Sequence, residues 1–180
     1  MKLHIVYNYK DRFPELKGSD LTDELIRMLL RDKDGGPLNI IRTERGKPYD
    51  KDRRIFFSVS HTHDVFGLAE ADFEIGVDLQ KKGSRNLKKI AERFFVDEEI
   101  STLENLPQSS YEREFMRIWT RKEALVKYRG AGLKDVLGRE QVLDREDVRF
   151  IDFELEQGIT GALCIPAGEK DDKISISYGE

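Results

Sequence analysis

The sequence predicts an α+β fold, one domain made of two architecturally similar halves. Three observations carry this expectation. Short strand-like segments occur along the whole chain, among them Lys2–Tyr9, where apolar residues alternate, Ile75–Gln80 and Val148–Leu155. Two other stretches, about 19–31 and 109–130, place their apolar residues at helical spacing instead. The order runs strand, helix, strands and then helix, strands, a duplicated layout without a convincing sequence repeat. A length of 180 residues suits one domain or two small halves sharing a core.

The elements follow in order. From Lys2 to Tyr9, Leu3, Ile5 and Tyr7 alternate with His4, Val6 and Asn8, as in a first strand. Ser19 or Asp20 is placed to cap a helix to about Arg31, with Leu21, Leu25, Met28 and Leu29 as its apolar stripe. Gly35, Gly36 and Pro37 end it. Leu38–Arg42 is a short strand, and Glu44–Pro48 a turn. Ile55–Val59 is nearly continuous apolar sequence, which predicts a strand buried on both faces. Ser60–Asp64 should turn the chain into a hairpin partner at Val65–Ala71. After the strand at Ile75–Gln80, Asn86–Phe95 forms a basic helix with Leu87, Ile90, Ala91 and Phe94 inside. Asp97, Glu98 and Glu99 open a further helix where the dipole favours acids. Ser109 and Glu112 have the spacing of a capping box for the long helix, which Gly130 and Gly132 terminate. Strands are expected after Gly132, at Val148–Leu155, Gly161–Ile165 and Ile174–Tyr178.

Composition narrows the function. Charged residues make up 37% and hydrophobic residues 38%, the balance of a soluble globular protein. A net charge of −4 disfavours nonspecific nucleic-acid binding. No apolar run approaches the ~20 residues that span a bilayer. The opening MKLHIVYNYK reads as a strand rather than a signal peptide. Cys164 is the single cysteine, so there is no internal disulfide, and zinc-ligand spacing is missing. Together these features suggest a cytoplasmic protein.

Several residues have types and spacings suited to chemistry, each beside an ordinary structural role. Asp78 ends an apolar strand, where an acid either turns the chain or holds a cation on a rigid base. Strand alternation puts Gln80 on the same side, able to offer a neutral oxygen. Glu123 and Lys127 stand four apart, one turn along one helix face, as a surface pair or as part of a site. Two acids and an amide suit Mg²⁺ on a pyrophosphate better than Ca²⁺ or Zn²⁺. Ser60 and His61 are adjacent, so on extended backbone they point apart, against a hydrolase triad. An anion held by hydroxyl, imidazole and turn N–H groups fits them better than a nucleophile does, and an ordinary hairpin is the alternative. His63 completes a His-x-His pair with no third soft ligand. Gly46-Lys47-Pro48 offers one lysine to a phosphate. Lys81, Lys82, Arg85, Lys88, Lys89 and Arg93 form either a solvated face or a docking surface for an acidic partner.

Taken in order, these motifs resemble the Sfp-type (surfactin-synthetase-activating) 4′-phosphopantetheinyl transferases. That family has a GKP turn, an (N/S)-x-SH turn, a G-(V/I)-D-(I/L)-E strand, an RFF segment and W-(T/S)-x-KE-(A/S)-x-x-K before G-x-GL. Here the same order gives Gly46-Lys47-Pro48, Ser58-Val59-Ser60-His61, Gly76-Val77-Asp78-Leu79-Gln80 and Arg93-Phe94-Phe95. Trp119-Thr120-Arg121-Lys122-Glu123-Ala124, Lys127 and Gly130-Ala131-Gly132-Leu133 complete it. The likeness extends from about Ser19 to Leu133.

The resemblance implies a pseudo-dimer of two α+β halves, about 1–75 and 76–180, with coenzyme A in the cleft between them. It implies transfer of 4′-phosphopantetheine from coenzyme A to a serine of an acyl or peptidyl carrier protein, releasing 3′,5′-ADP. It places Mg²⁺ on Asp78 and Glu123, with Gln80 at a third ligand position. It places coenzyme A against Lys47, Ser60, His61 and Lys127, with Ser19 near a further hydroxyl contact. Glu123, or a water held by Glu123 or Gln80, is the expected base, and Lys127 the residue that stabilises the leaving phosphate. An acidic carrier would dock on Lys81, Lys82, Arg85, Lys88 and Lys89, and a monomer suffices. Two departures stand out. Gln80 replaces the usual Glu, and before the first helix only Lys10, Arg12 and Lys17 are available for the adenosine 3′-phosphate. These motivate a second expectation, a weakened relative that binds coenzyme A or a carrier without efficient transfer. An unrelated α+β protein with a basic patch is the third.

Overall fold

The computed structural model describes residues 1–30, 36–83, 86–170 and 173–179. The architecture is α+β. A four-stranded sheet has the order β4-β5-β1-β9, from β1 (Lys2–Tyr7), β4 (Phe56–Thr62), β5 (Val65–Ala71) and β9 (Ser175–Tyr178). A three-stranded antiparallel sheet has the order β6-β8-β7, from β6 (Gly76–Lys81), β7 (Val148–Leu155) and β8 (Ile159–Pro166). β2 (Ile40–Arg42) and β3 (Pro48–Asp50) form a separate ladder. The helices are α1 (Gly18–Leu29), α2 (Leu87–Phe94), α3 (Asp97–Glu104), α4 (Gln108–Arg129) and the short α5 (Leu133–Val136).

The chain leaves one sheet for the other between β5 and β6. β9 then returns from the far end of the chain to pair in parallel with β1. The two sheets share a core in which Leu3 and Ile5 of β1 meet Val77 and Leu79 of β6 and Leu163 and Ile165 of β8. On the other side of the first sheet, Leu21, Leu25 and Ile26 of α1 pack on Val6, Phe66 and Leu68. Phe115, Ile118 and Leu125 of α4 pack with Phe95, Ala162 and Cys164.

Several local expectations are corrected. Neither Ser19 nor Asp20 caps α1, and Ser109 and Glu112 form no capping box for α4. Both helices start earlier, after Lys17 and Pro107, which puts Ser19, Asp20 and Ser109 inside the first turn and Glu112 beyond it. The part of the first helix near Arg31, and Gly35, lie outside the described residues. Met28 is exposed and Ile26 is buried in its place. α5, β3 and the extension of β4 to Thr62 were not expected. The hairpin turn is confined to His63 and Asp64, with His63 in the left-handed region at φ 52°. Ser60 and His61 are therefore strand residues, paired with Gly67 and Phe66 of β5.

That extension of β4 builds a seam between the sheets. Ser58, Ser60 and Thr62 alternate, so all three hydroxyls face one side and are buried. Each accepts from a backbone N–H of β6: Val77 to Ser58 at 3.1 Å, Leu79 to Ser60 at 3.0 Å and Lys81 to Thr62 at 3.2 Å. These N–H groups lie on the edge of β6 away from β8 and would otherwise be buried without partners. Side-chain hydroxyls here take the place of strand pairing. On α4, the backbone of β6 approaches so closely that a Cβ on Gly76 would stand 2.1 Å from the Ala124 carbonyl oxygen. Only glycine fits there, and this contact sets Asp78 opposite the last turns of α4.

Candidate active site

β6 and α4 each deliver one half of a charged cluster. Asp78 is 2% exposed, and both of its oxygens are engaged. Oδ1 accepts from Ser60 Oγ at 2.9 Å and from Lys127 Nζ at 2.7 Å, while Oδ2 accepts from Gln80 Nε2 at 3.3 Å. Gln80 thus lies on the side of Asp78 that strand alternation predicts, and its Oε1 is left to accept. Glu123, one turn before Lys127 on α4, shows no ion pair among the described residues. Burial first, and the charge of Asp78 second, raise its pKa from 4.5 to about 7, against the opposing pull of Lys127. Two carboxylates therefore compete for one cation, Lys127, and the amide of Gln80 stands beside them.

The end of α4 is held by the glycine turn and by the GKP turn. Gly130 has φ 59°, and its N–H bonds the Lys127 carbonyl. Lys47 Nζ reaches Glu74 Oε1 at 2.5 Å and the Tyr128 carbonyl at 3.4 Å. Arg45 pairs with Asp135, whose carboxylate also accepts from the Gly132 N–H. Sequence reading placed Lys47 in a turn. Its docking on the last turn of α4 depends on contacts 27 and 81 residues away.

The remaining candidates are spread more widely. His61 projects outward from β4 with its ring near Tyr9, centroids 6.0 Å apart. Partial desolvation, then the charges of Lys127 and Lys10, lower its pKa. Ser60, its neighbour, points inward, and its hydroxyl is committed to Asp78 and the Leu79 N–H. Ser19 stands apart, exposed in the first turn of α1, with its carbonyl accepting from Arg42. Lys82, Lys88, Lys89 and Arg93 are exposed, Lys81 is half-buried, and Arg85 lies outside the described residues. Beside Gln80 and Lys81, a cavity of about 170 Å³ opens between α2 and α4, walled by Ile90, Phe94, Met116 and Trp119.

Some residues of the site were not singled out from sequence. Lys122, next to Glu123, is fully buried and pairs with Glu99 of α3 at 2.8 Å. Glu99 does lie in the first turn of α3, where the dipole favours an acid, but it is fully buried and also accepts from the Val96 and Val142 N–H groups at 3.1 Å and 2.9 Å. Lys122 also donates to the Glu140 carbonyl at 2.5 Å. Burial lowers the Lys122 pKa, and the bond to Glu99 opposes that. Pairing across 23 positions leaves no local pattern. The hydroxyl seam did leave one, in the alternation Ser58, Ser60, Thr62.

Among the described residues, no three His, Cys, Asp or Glu side chains gather to hold a metal. Two carboxylates and an amide do gather, and burial first, then the neighbouring Asp78 charge, raises the Glu123 pKa. That donor set fits Mg²⁺, which uses one or two carboxylates and completes its shell with water and phosphate. No helix of the described residues is long and apolar enough to cross a membrane.

Residues 74–174, which contain Asp78, Gln80, Glu123 and Lys127, match the family profile described as the 4′-phosphopantetheinyl transferase superfamily. The chain is similar to the 4′-phosphopantetheinyl transferase ffp of Bacillus subtilis, 30% identical over 177 residues covering 88% of this chain and 78% of that protein. It is similar to the transferase gsp of Aneurinibacillus migulanus, 30% identical over 126 residues, 70% of this chain and 52% of that protein. It is 34% identical over 96 residues to the transferase HetI of Nostoc, 49% of this chain and 40% of that protein. The matched part is thus about half the length of several of these relatives.

Proposed function

The chain belongs to the 4′-phosphopantetheinyl transferase superfamily, and from that premise we propose that it moves 4′-phosphopantetheine from coenzyme A to a serine of a carrier protein. The observation that carries the proposal is the meeting of Asp78 from β6 with Glu123 and Lys127 from α4. The reaction needs these groups because an anionic pyrophosphate repels an incoming nucleophile. The carrier serine Oγ bonds to the β-phosphorus as the bond to 3′,5′-ADP breaks, and the serine proton is released.

Asp78 and Glu123 would hold Mg²⁺, with Gln80 Oε1 as a neutral third donor, and the ion would offset the charge of the pyrophosphate. Ser60 fixes the Asp78 carboxylate by donating to Oδ1. Lys127, released from Asp78, would stabilise the leaving phosphate. Lys47 and His61 would hold phosphate oxygens of coenzyme A; Ser19 and Ser60 stand as further coenzyme contacts on the family pattern. Glu123, directly or through a water, would accept the serine proton. An acidic carrier would meet Lys81, Lys82, Lys88 and Lys89. One copy supplies all of these residues, so a monomer suffices. Residues 1–75 and 76–180 would act as the two walls of the cleft.

The test is intact-mass measurement of an apo acyl carrier protein after incubation with this protein, coenzyme A and Mg²⁺, with an EDTA control. A gain of one phosphopantetheine that EDTA abolishes is the expected result. A second reading rests on Gln80, which adds no charge to Asp78 and Glu123. It is a relative that binds coenzyme A or a carrier without efficient transfer. A large gain in rate from Gln80→Glu favours that reading.

A further inference from the structure

Glu74 has no part in the chemistry above, yet it holds two cations at the end of α4. Its Oε1 lies 2.5 Å from Lys47 Nζ, and its Oε2 3.4 Å from Arg53 Nη1. Arg53 comes from the loop before β4, and its guanidinium is stacked over Tyr49 at 4.7 Å and near Phe56 at 5.9 Å. Lys47 is 15% exposed and keeps a second acceptor, the Tyr128 carbonyl at 3.4 Å. Two cations from separate loops thus close on one half-exposed carboxylate. A phosphate offers the same recognition chemistry, anionic oxygens spaced for a forked guanidinium and an ammonium. Displacing Glu74 would not strand Lys47, because the Tyr128 carbonyl remains.

We infer that Glu74 is an internal placeholder for a phosphate: it occupies Lys47 and Arg53 in the free protein and competes with the incoming anion. Arg53 is thereby an anion-binding residue, and Glu74 sets how tightly the phosphate is held. Only the identity of that phosphate, as part of coenzyme A, rests on the function proposed above. Removing the Glu74 charge while keeping a hydrogen-bond acceptor should therefore tighten anion binding, which loss of a purely structural ion pair would not do.

The experiment is calorimetric titration with inorganic pyrophosphate, then with coenzyme A, at fixed ionic strength. The proteins are wild type, Glu74→Gln, Lys47→Met and the double variant. Glu74→Gln should bind pyrophosphate about three- to fivefold more tightly, the size expected of a partly exposed ion pair. Lys47→Met should weaken binding, and in its background the gain from Glu74→Gln should largely disappear. Unchanged or weaker binding by Glu74→Gln overturns the inference, as does an equal gain without Lys47 or no pyrophosphate binding by any of the proteins. A pyrophosphate gain with no binding of coenzyme A by any of them upholds the placeholder and rejects coenzyme A as the donor.

Discussion

Lys127 Nζ lies 2.7 Å from Asp78 Oδ1, so the cation of α4 neutralises the buried acid of β6. Lys127→Met would leave Asp78, 2% exposed, with hydrogen bonds but no counter-charge. Breaking a buried pair costs about 3–5 kcal/mol, and the 27% exposure of Lys127 lowers the expected loss to roughly 2 kcal/mol. Mg²⁺ should restore more of the melting temperature to this variant than it adds to wild type, because the ion replaces the missing charge. Equal Mg²⁺ shifts in the two proteins would contradict this.

The raised pKa of Glu123 makes a signed prediction for stability. Between its ordinary value of 4.5 and about 7, the folded protein holds a proton there that the unfolded chain has lost. That contribution is fully present below 4.5 and is lost as pH rises through about 7. Metal-free Glu123→Gln, which cannot ionise, should have a shallower decline in melting temperature from about pH 5 to about pH 8. It should also be the more stable of the two at the alkaline end. Parallel pH curves would show that Glu123 ionises as an ordinary carboxylate.

Ser58 and Ser60 separate the seam from the site. Alanine at either leaves a buried β6 N–H without its acceptor, at a cost of about 1–3 kcal/mol. Only Ser60 also donates to Asp78. Ser60→Ala should therefore weaken Mn²⁺ binding several-fold, read by electron paramagnetic resonance, while Ser58→Ala leaves it near wild type. Equal weakening would reduce Ser60 to a seam residue.

The buried pair of Lys122 and Glu99 orients the helix that carries Glu123. Lys122→Met alone strands a fully buried carboxylate and should cost about 3–5 kcal/mol by urea denaturation. Lys122→Met with Glu99→Leu removes both charges and should recover part of that loss, although the Val96 and Val142 N–H groups lose an acceptor. A double variant no more stable than the single one would mean that the backbone bonds of Glu99, not its charge, matter most.

Much of the site was legible because its residues sit on regular elements. Period-two alternation put Asp78 and Gln80 on one side of β6, and helical spacing put Glu123 and Lys127 one turn apart. Gly76 read only as a strand residue, and the structure alone shows that it marks the close approach of β6 to α4. The least legible features were ends and partners. A cap depends on which residue leaves the helix, and a shift of two positions moved Ser109 and Ser19 inside their helices. Ser60–Asp64 read as a turn, but β4 runs on to Thr62, and the Ser60 and Thr62 hydroxyls are consumed by the edge of β6.

By itself the sequence determined the α+β class, most of the strands and helices, the motif order that resembles the transferase family, and the identity of the acids and lysines of the site. Backbone periodicity and residue type are local properties, and local rules read them. Tertiary structure alone decided which charges meet: Lys127 with Asp78 across 49 residues, Lys47 with Glu74 and Tyr128, and Lys122 with Glu99. Such pairings are set by how β6 packs on α4 and by how little water reaches the contact. That desolvation is what lifts Glu123 to a pKa of about 7, a value no spacing in the chain encodes.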